Sequence, residues 1–156
     1  MSEIEIRPVR YGAPVAQELV AAAMADLAVR YDADADGDET PVRPVEFDPP
    51  DGAFLVAFLR GRPVGCGGWR SHGGSDVAEI KRMYTVPEAR GRGVARALLR
   101  ALEESARRQG RQRAILETGY AQPEAIAMYE ASGYERIPPF GYYRNEPGVV
   151  SFGREL

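Results

Sequence analysis

Arg90-Gly91-Arg92-Gly93-Val94-Ala95 follows a strand-like run at 78–86 and opens a long run of helical periodicity. Two glycines let the main chain approach an oxyanion closely, because glycine has no Cβ atom and accepts left-handed backbone conformations. A turn from a strand into a helix also leaves several amide N–H groups unpaired at the start of the helix, where they point toward an anion. The stretch therefore predicts a main-chain cradle for a phosphate group.

The run after this turn has the spacing of an amphipathic helix. Charged residues such as Arg100 and Glu103 separate its apolar positions. The apolar positions, which recur at helical spacing, are Val94, Leu98, Leu99, Leu102 and Ala106. We therefore predict a helix from about 93 to 109, ended by Gly110.

The bulk composition indicates one soluble domain. The chain has 156 residues, enough for a hydrophobic core without disulfides, so we expect a single domain over 1–156. Hydrophobic residues make up 44% and charged residues 28%, and no apolar run approaches the roughly 20 residues of a membrane helix. The single Cys66 and an N-terminus without signal-peptide features favour a cytoplasmic location and no membrane partner.

The distribution of charge is more informative than its sum. With 20 basic and 23 acidic side chains the net charge is −3, which gives no general attraction to nucleic acid. The basic residues around the glycine-rich turn are Lys81, Arg82, Arg90, Arg92, Arg96 and Arg100. Arg92 and Arg96 are the best candidates for phosphate contacts, and the alternative for each arginine is a solvated helix face. No cluster of metal-ligating side chains stands out, so we expect no metal site.

The remaining patterns predict further strands and helices. Alternating or apolar runs indicate strands, and a turn at 60–63 joins two of them into a hairpin. The predicted strands are 3–9, 53–59, 64–69, 77–86, 113–117, 134–137 and 149–156, and the other predicted helices are 14–30 and 122–132. Antiparallel strands followed by a strand-helix-strand unit predict an α/β fold with a mixed sheet and helices on its faces.

Two motifs resemble those of the GCN5-related N-acetyltransferase (GNAT) superfamily. The first is that family's Gln/Arg-x-x-Gly-x-Gly/Ala signature, present here as Arg90-x-x-Gly93-x-Ala95. The second is the family's Asn-x-x-Ala-x-x-x-Tyr-x-x-x-Gly-Phe. This chain has Gln122-x-x-Ala125-x-x-x-Tyr129-x-x-x-Gly133-Tyr134, with Gln in place of Asn and Tyr in place of Phe. The resemblance covers about the whole chain.

The resemblance implies an acetyltransferase that uses acetyl-coenzyme A (acetyl-CoA) as cosubstrate. Family members hold the pyrophosphate on the glycine-rich turn, which here consists of Arg90, Gly91, Arg92, Gly93, Val94, Ala95 and Arg96. They pair the pantetheine amides with main-chain groups of the preceding strand, here Met83, Tyr84 and Thr85. The implied fold is a mostly antiparallel sheet in which one parallel strand pair splays around the cofactor, because only unpaired groups can bind it. Gln122 keeps the amide of the family Asn and is a further candidate for a cofactor contact.

Two residues are candidates for proton transfer, since a protonated amine is a poor nucleophile and a base must remove a proton. Glu79 occupies the position of the base in the histone-modifying branch of the family, and strand alternation predicts that it shares a face with Lys81, Met83 and Thr85. Its alternative is a structural carboxylate paired with Lys81, Arg82 or another arginine. Tyr129 matches the family tyrosine that protonates the leaving thiolate. Its alternative is a core aromatic, or a hydroxyl that only hydrogen-bonds the sulfur.

The acceptor is less well defined than the donor. We expect transfer to a primary amine of a small molecule or peptide, and we expect it to be direct because the sequence shows no convincing nucleophile. Relatives in the family commonly form homodimers. The acidic segment 32–39 follows the first helix, where the family often builds part of the acceptor site, so Asp34, Asp36 and Asp38 are candidates to attract a cationic amine. We interpret Cys66 as a core residue rather than a nucleophile that accepts the acetyl group.

Two other functions fit part of the sequence. A non-catalytic acyl-CoA-binding sensor or interaction module would keep the phosphate cradle without turnover. A nicotinamide oxidoreductase would use Gly91-x-Gly93 in a dinucleotide fold, but Arg96 stands where a third small residue belongs. The acetyltransferase interpretation accounts for both motifs.

Overall fold

The computed structural model describes residues 3–31 and 37–156, which form one seven-stranded sheet and three α-helices. The strands are β1 Ile4–Pro8, β2 Gly52–Leu59, β3 Arg62–Ser71, β4 Val77–Thr85, β5 Arg113–Gly119, β6 Glu135–Arg136 and β7 Val149–Glu155. The helices are α1 Pro14–Arg30, α2 Val94–Arg108 and α3 Pro123–Ala131. No helix of the described ranges combines the length and apolarity needed to cross a membrane.

The strands lie in the order β1-β2-β3-β4-β5-β7-β6, and every neighbouring pair except β4 and β5 is antiparallel. The turn between β2 and β3 contains only Arg60, with φ 52°, and Gly61, with φ 79°. Two successive left-handed residues match the right-handed twist of the flanking strands. The hairpin prediction is therefore confirmed, although Arg62 and Pro63 belong to β3 rather than to the turn.

The two parallel strands β4 and β5 separate soon after they meet. They pair at only three positions, and the last is Glu79 opposite Ile115. Beyond that point β4 continues along β3 as far as Thr85, and β5 continues along β7 as far as Gly119. We call the space between Ile80–Thr85 and Leu116–Gly119 the opening. It confirms the predicted splay of the parallel pair.

A β-bulge at Arg82 interrupts β4 in the part of the strand that no longer pairs with β5. Arg82 has φ 62°, and the register against β3 shifts between Cys66 and Gly68. Because a bulge inserts one extra residue, it reverses the alternation of side chains beyond it. Lys81 and Arg82 both contact Asp38. Met83 instead packs on the opposite face of the sheet, against the core that contains Leu98 and Leu102 of α2. The prediction that Glu79, Lys81, Met83 and Thr85 share one face is therefore wrong beyond Lys81.

Helices cover both faces of the sheet. One face packs against α2 and α3, where the core contains Trp69, Leu98, Leu102, Tyr129 and Phe152. The other face packs against α1, where the core contains Tyr11, Leu19, Phe47, Phe54 and Cys66. The predicted mixed sheet with helices on both faces is thus confirmed, and the opening lies between two packed layers.

Candidate active site

The glycine-rich turn has the backbone conformation that an anion cradle requires. Gly91 has φ 79° and Gly93, the residue before α2, has φ 82°. Apart from its chain neighbours, no described residue has an atom within 4 Å of a Cβ built on either glycine, so glycine is needed for the backbone conformation and not for lack of space. The amide of Ala97 donates to the carbonyl of Gly93 at 3.0 Å. The amides of Val94, Ala95 and Arg96 belong to the first helical turn, whose N–H groups have no carbonyl partner within a helix.

Arg90 fastens this turn to its surroundings. Its Nε donates to the carbonyl of Thr85 at 3.1 Å, and its Nη2 lies 3.5 Å from Oδ1 of Asp26 on α1. Arg92 and Arg96 are exposed, as Arg90 is, but neither forms a hydrogen bond or ion pair with the described residues. Of the predicted phosphate contacts, Arg92 and Arg96 thus have side chains without a partner in the described ranges, while Arg90 holds the turn against β4 and α1.

The end of β4 offers main-chain groups to the opening. Tyr84 and Thr85 pair with Cys66 and Gly65 of β3 on one side, and β5 has left their other side. Met83 packs toward α2 and Tyr84 toward α1, so the side chains on this edge point to the two faces and not into the gap. An extended ligand can therefore bind this edge as a strand would. One turn of 3-10 helix, Pro87–Ala89, joins this edge to the glycine-rich turn.

Tyr129 lies on α3, in the core that α2 and α3 form with the sheet. It is 5% exposed, and its ring contacts Tyr134 and Phe152, with centroid distances of 5.7 and 6.0 Å. Its hydroxyl forms no hydrogen bond within the described ranges. Burial raises the pKa of Tyr129 above its ordinary value, so the phenol keeps its proton at neutral pH. Its role as the proton donor to the thiolate stays a prediction.

Gln122 precedes α3 and contacts the end of α1. Its Nε2 donates to the Tyr31 hydroxyl at 3.2 Å, and the neighbouring Arg30 binds the carbonyl of Ala121 at 3.1 Å and also pairs with Glu124. The amide of Gln122 therefore ties α3 to α1. Its predicted contact with the cofactor stays a prediction.

Glu79 is almost fully buried, at 2% exposure, and has a cationic partner. Its Oε1 accepts a hydrogen bond from Nε of Arg70 at 3.1 Å and lies 3.6 Å from Nδ1 of His72. Lys81 and Arg82, the other predicted partners, instead pair with Asp38. Since a buried ion pair holds a carboxylate in place, these contacts favour the structural alternative for Glu79. Its role as the base stays a prediction.

A second carboxylate, that of Glu117 on β5, lies at the opening without a cation. Its Oε2 accepts a hydrogen bond from the N–H of Tyr143 at 3.2 Å. Its Oε1 is buried and has no hydrogen-bond partner in the described ranges, and no cation there lies within ion-pair distance. Burial raises the pKa of Glu117, although Lys81 and main-chain bonds from Tyr143 and Gly141 lower it in part. The one sequence signal for this residue is an acidic side chain directly after the apolar run 114–116 of β5.

Asp38 is paired rather than free. Its Oδ2 lies 3.0 Å from Nζ of Lys81 and also binds Arg82, and its Oδ1 accepts hydrogen bonds from Thr40. Burial alone would raise the pKa of Asp38, but these two cations and Thr40 outweigh it and lower the pKa to about 2. These contacts favour a structural role for Asp38, and its attraction of a cationic amine stays a prediction. Asp34 and Asp36 lie outside the described residues.

Comparisons with known proteins place this arrangement in a family. The model of the acetyltransferase (GNAT) family matches residues 16–134. An IAA acetyltransferase of Azospirillum brasilense is 41% identical over 98 residues, which cover 63% of this chain and 64% of that protein. The uncharacterized N-acetyltransferase YjgM of Escherichia coli K12 is 40% identical over 93 residues, 58% of this chain and 56% of that protein. The matched region thus spans less than two thirds of either relative.

Solved structures agree on the fold. A Klebsiella pneumoniae structure named as an acyl-CoA N-acyltransferase superposes with a TM-score of 0.79 at 29% identity, over 98% of this chain and 97% of that one. A GNAT acetyltransferase from Elizabethkingia anophelis, solved with acetyl-CoA bound, gives a TM-score of 0.70 at 17% identity over the full length of both chains. The second likeness concerns the fold alone. Together with the family match over residues 16–134, these comparisons show that the chain belongs to the acetyltransferase (GNAT) family.

Proposed function

We propose that this protein is an acetyl-CoA-dependent N-acetyltransferase that passes the acetyl group directly to a primary amine of a small molecule or peptide. The observation that carries the proposal is the opening itself, where the free edge of β4 leads into the glycine-rich turn at the start of α2. The names of the relatives support the reaction type. Acetyl-CoA and coenzyme A in the related structures support the donor.

Two regions of the chain would bind the donor, the glycine-rich turn with the start of α2 and the end of β4. The amides of Val94, Ala95 and Arg96 and the side chains of Arg92 and Arg96 would hold the diphosphate, because a helix N-terminus and cations both favour an anion. Main-chain groups of Met83–Thr85 would hold the pantetheine arm, because amides that β5 has left need hydrogen-bond partners.

We assign the role of base to Glu117 in preference to Glu79. A base must have an oxygen that no cation holds and must take up a proton, which a raised pKa favours near neutral pH. Glu117 meets both conditions, because its Oε1 has no hydrogen-bond partner in the described ranges and its partial burial raises its pKa. Glu79 is held by Arg70 instead. In the reaction a bond forms between the amine nitrogen and the acetyl carbon while the carbon–sulfur bond breaks. Glu117 takes the proton of the amine, and Tyr129 gives its proton to the departing thiolate.

Direct transfer agrees with the environment of the only cysteine. Cys66 is fully buried, and burial raises the pKa of its thiol to about 12. Since the thiolate is the reactive form of cysteine, this side chain is a poor acceptor of the acetyl group at neutral pH. We therefore propose no covalent acetyl-enzyme. A homodimer and a cytoplasmic location stay predictions.

Two measurements test the proposed function. Coenzyme A should raise the melting temperature of the protein, because a ligand that binds only the folded state stabilises it. Thiol release from acetyl-CoA should then be measured with a panel of amino acids, polyamines and short peptides with free N-termini. A rise in melting temperature without turnover for any amine would favour the non-catalytic sensor, and stabilisation by NAD rather than coenzyme A would favour the oxidoreductase.

Variants assign the base. We expect Glu117→Gln to lower kcat by about 100-fold or more, the usual contribution of a general base. Glu130→Gln, an exposed site on α3 beside Tyr129, is the matched control and should keep nearly full activity. If Glu79→Gln abolishes turnover and Glu117→Gln does not, Glu79 is the base and our assignment of Glu117 is wrong.

A further inference from the structure

Tyr143 connects the two sides of the opening. It lies in the segment between β6 and β7, and its main-chain N–H donates to Oε2 of Glu117 on β5 at 3.2 Å. Its hydroxyl donates to Oδ1 of Asp38 at 3.1 Å and accepts a hydrogen bond from the N–H of Glu39 at 2.6 Å. One residue thus contacts the carboxylate on β5 and the segment that follows α1.

Asp38 in turn is anchored on the bulged part of β4. Asp38 forms ion pairs with Lys81 and Arg82 of β4. Thr40 binds Asp38 and both of these cations. The Thr40 hydroxyl accepts a hydrogen bond from Lys81 at 2.9 Å, and its carbonyl accepts one from Arg82 at 3.2 Å. A continuous chain of contacts therefore runs from β4 through Asp38 and Tyr143 to Glu117, across a gap where the two strands no longer pair.

The main chain around Tyr143 fits closely against Glu117. A Cβ atom at Gly141 would lie 2.3 Å from Oε1 of Glu117, so only glycine permits this approach. The Gly141 main chain also lowers the pKa of the carboxylate in part. The main chain of Gly141–Tyr143 therefore contacts the Glu117 carboxylate. These contacts hold their geometry when other contacts fix the loop in place. The Tyr143 side chain, bound to Asp38 and Glu39, is such an anchor.

We propose that Tyr143 is a positioning residue: by binding Asp38 through its hydroxyl, it holds the loop whose amides orient the carboxylate of Glu117 at the opening. This proposal rests on the proposed function for its catalytic consequence. Its structural content concerns Glu117 alone and can be tested without an acceptor. The charged groups that influence Glu117 from the neighbouring strand are Lys81 and Glu79, and neither is altered by changing Tyr143.

The direct test is a ¹³C-carboxylate NMR titration of Glu117, assigned with Glu117→Gln, in three proteins. Tyr143→Phe removes the hydroxyl and keeps the ring, and Tyr142→Phe is the matched control because its side chain is 48% exposed. Since hydrogen bonds to the charged form lower a carboxyl pKa, releasing the loop should raise the pKa of Glu117 in Tyr143→Phe. Tyr142→Phe should match the wild type. An identical Glu117 titration in all three proteins would overturn the proposal.

Two further readouts extend the test, and the first of them needs neither a variant nor an acceptor. In the wild type, the amide proton shift of Tyr143 should titrate together with Glu117, and an amide that ignores this titration would contradict the contact. With the best amine of the panel, Tyr143→Phe should lower kcat about tenfold, a fraction of the full contribution of a base, with the KM for acetyl-CoA nearly unchanged. A change confined to KM would also overturn the proposal. Failure of the wild type to bind coenzyme A would count against the proposed function, whereas the NMR results would still decide the role of Tyr143.

Discussion

The Tyr134 hydroxyl donates a hydrogen bond to Oε2 of Glu103 at 2.8 Å, inside the layer between α2 and the sheet. Glu103 is 4% exposed although it lies among charged residues of the helix. Its other partner is Nη1 of Arg154, 3.3 Å from Oε1. The motif that this sequence resembles often has Phe at this position, and here the Tyr134 hydroxyl gives the buried carboxylate a second donor besides Arg154.

Tyr134→Phe should therefore destabilise the protein by about 1 to 3 kcal/mol, the cost of leaving a buried polar group without its partner. The measurement is the free energy of unfolding in denaturant. In Glu103→Leu the hydroxyl of Tyr134 has lost its acceptor, so adding Tyr134→Phe to Glu103→Leu should cost much less than it does alone. Strictly additive effects of the two changes would show that they do not interact.

The paired state of Asp38 gives a pH-dependent stability. The folded-state pKa of about 2 lies below the ordinary value of 3.8, so charged Asp38 stabilises the fold above about pH 4, and this contribution disappears as the pH falls toward the folded-state value. Asp38→Asn should cost about 2 kcal/mol at pH 7. Thermal unfolding of both proteins should converge between about pH 4 and pH 2. A difference that persists unchanged at low pH would contradict the ion pairs with Lys81 and Arg82.

Gly93 has room for a side chain but a left-handed φ, so a substitution there tests the backbone conformation of the turn alone. Gly93→Ala places a side chain at φ 82°, which costs about 1 to 2 kcal/mol outside glycine. It should also weaken coenzyme A binding, because the start of α2 must shift to relieve this strain. Gly12→Ala is the control, since its site also has nothing within 4 Å of a built Cβ and its φ is not left-handed. Calorimetry that finds equal coenzyme A affinity in Gly93→Ala and wild type would count against the cradle.

We expect Arg92 and Arg96 to contribute to coenzyme A binding and Arg90 to contribute to stability. Arg92→Ala with Arg96→Ala should raise the Kd of coenzyme A severalfold at low salt, and the difference should shrink in high salt, because exposed charges are screened. Arg90→Ala should mainly lower the melting temperature, since it removes the bonds to Thr85 and Asp26. If Arg90→Ala proves the most damaging to affinity at unchanged stability, Arg90 contacts the ligand.

The elements of this fold could be predicted because each has a strong local pattern. The apolar spacing around Leu98 and Leu102 indicates α2, and both residues are fully buried. The same pattern treats Glu103 as one of the charged positions between apolar ones, since it cannot show that Tyr134 and Arg154 approach from distant parts of the chain. Local periodicity predicts which face a residue occupies but not which polar groups fold against it.

The same limit explains the site. Alternation in β4 predicts one face for Glu79 and Met83, and the bulge at Arg82 reverses it. That bulge involves Asp38, whose pairing with Arg82 is not local in sequence. Glu117 shows no motif of its own, because its distinctive property, an unpartnered buried oxygen, arises from where β4 and the Tyr143 loop lie. The cradle could be predicted because its glycines and helix start are adjacent in the sequence.

Isothermal calorimetry of acetyl-CoA with the wild-type protein tests the central claim most directly, because the cradle and the free edge of β4 are both defined by donor binding. We expect one donor molecule to bind each chain, with a measurable heat that is reduced in Gly93→Ala. The absence of any binding heat at several temperatures would contradict the account.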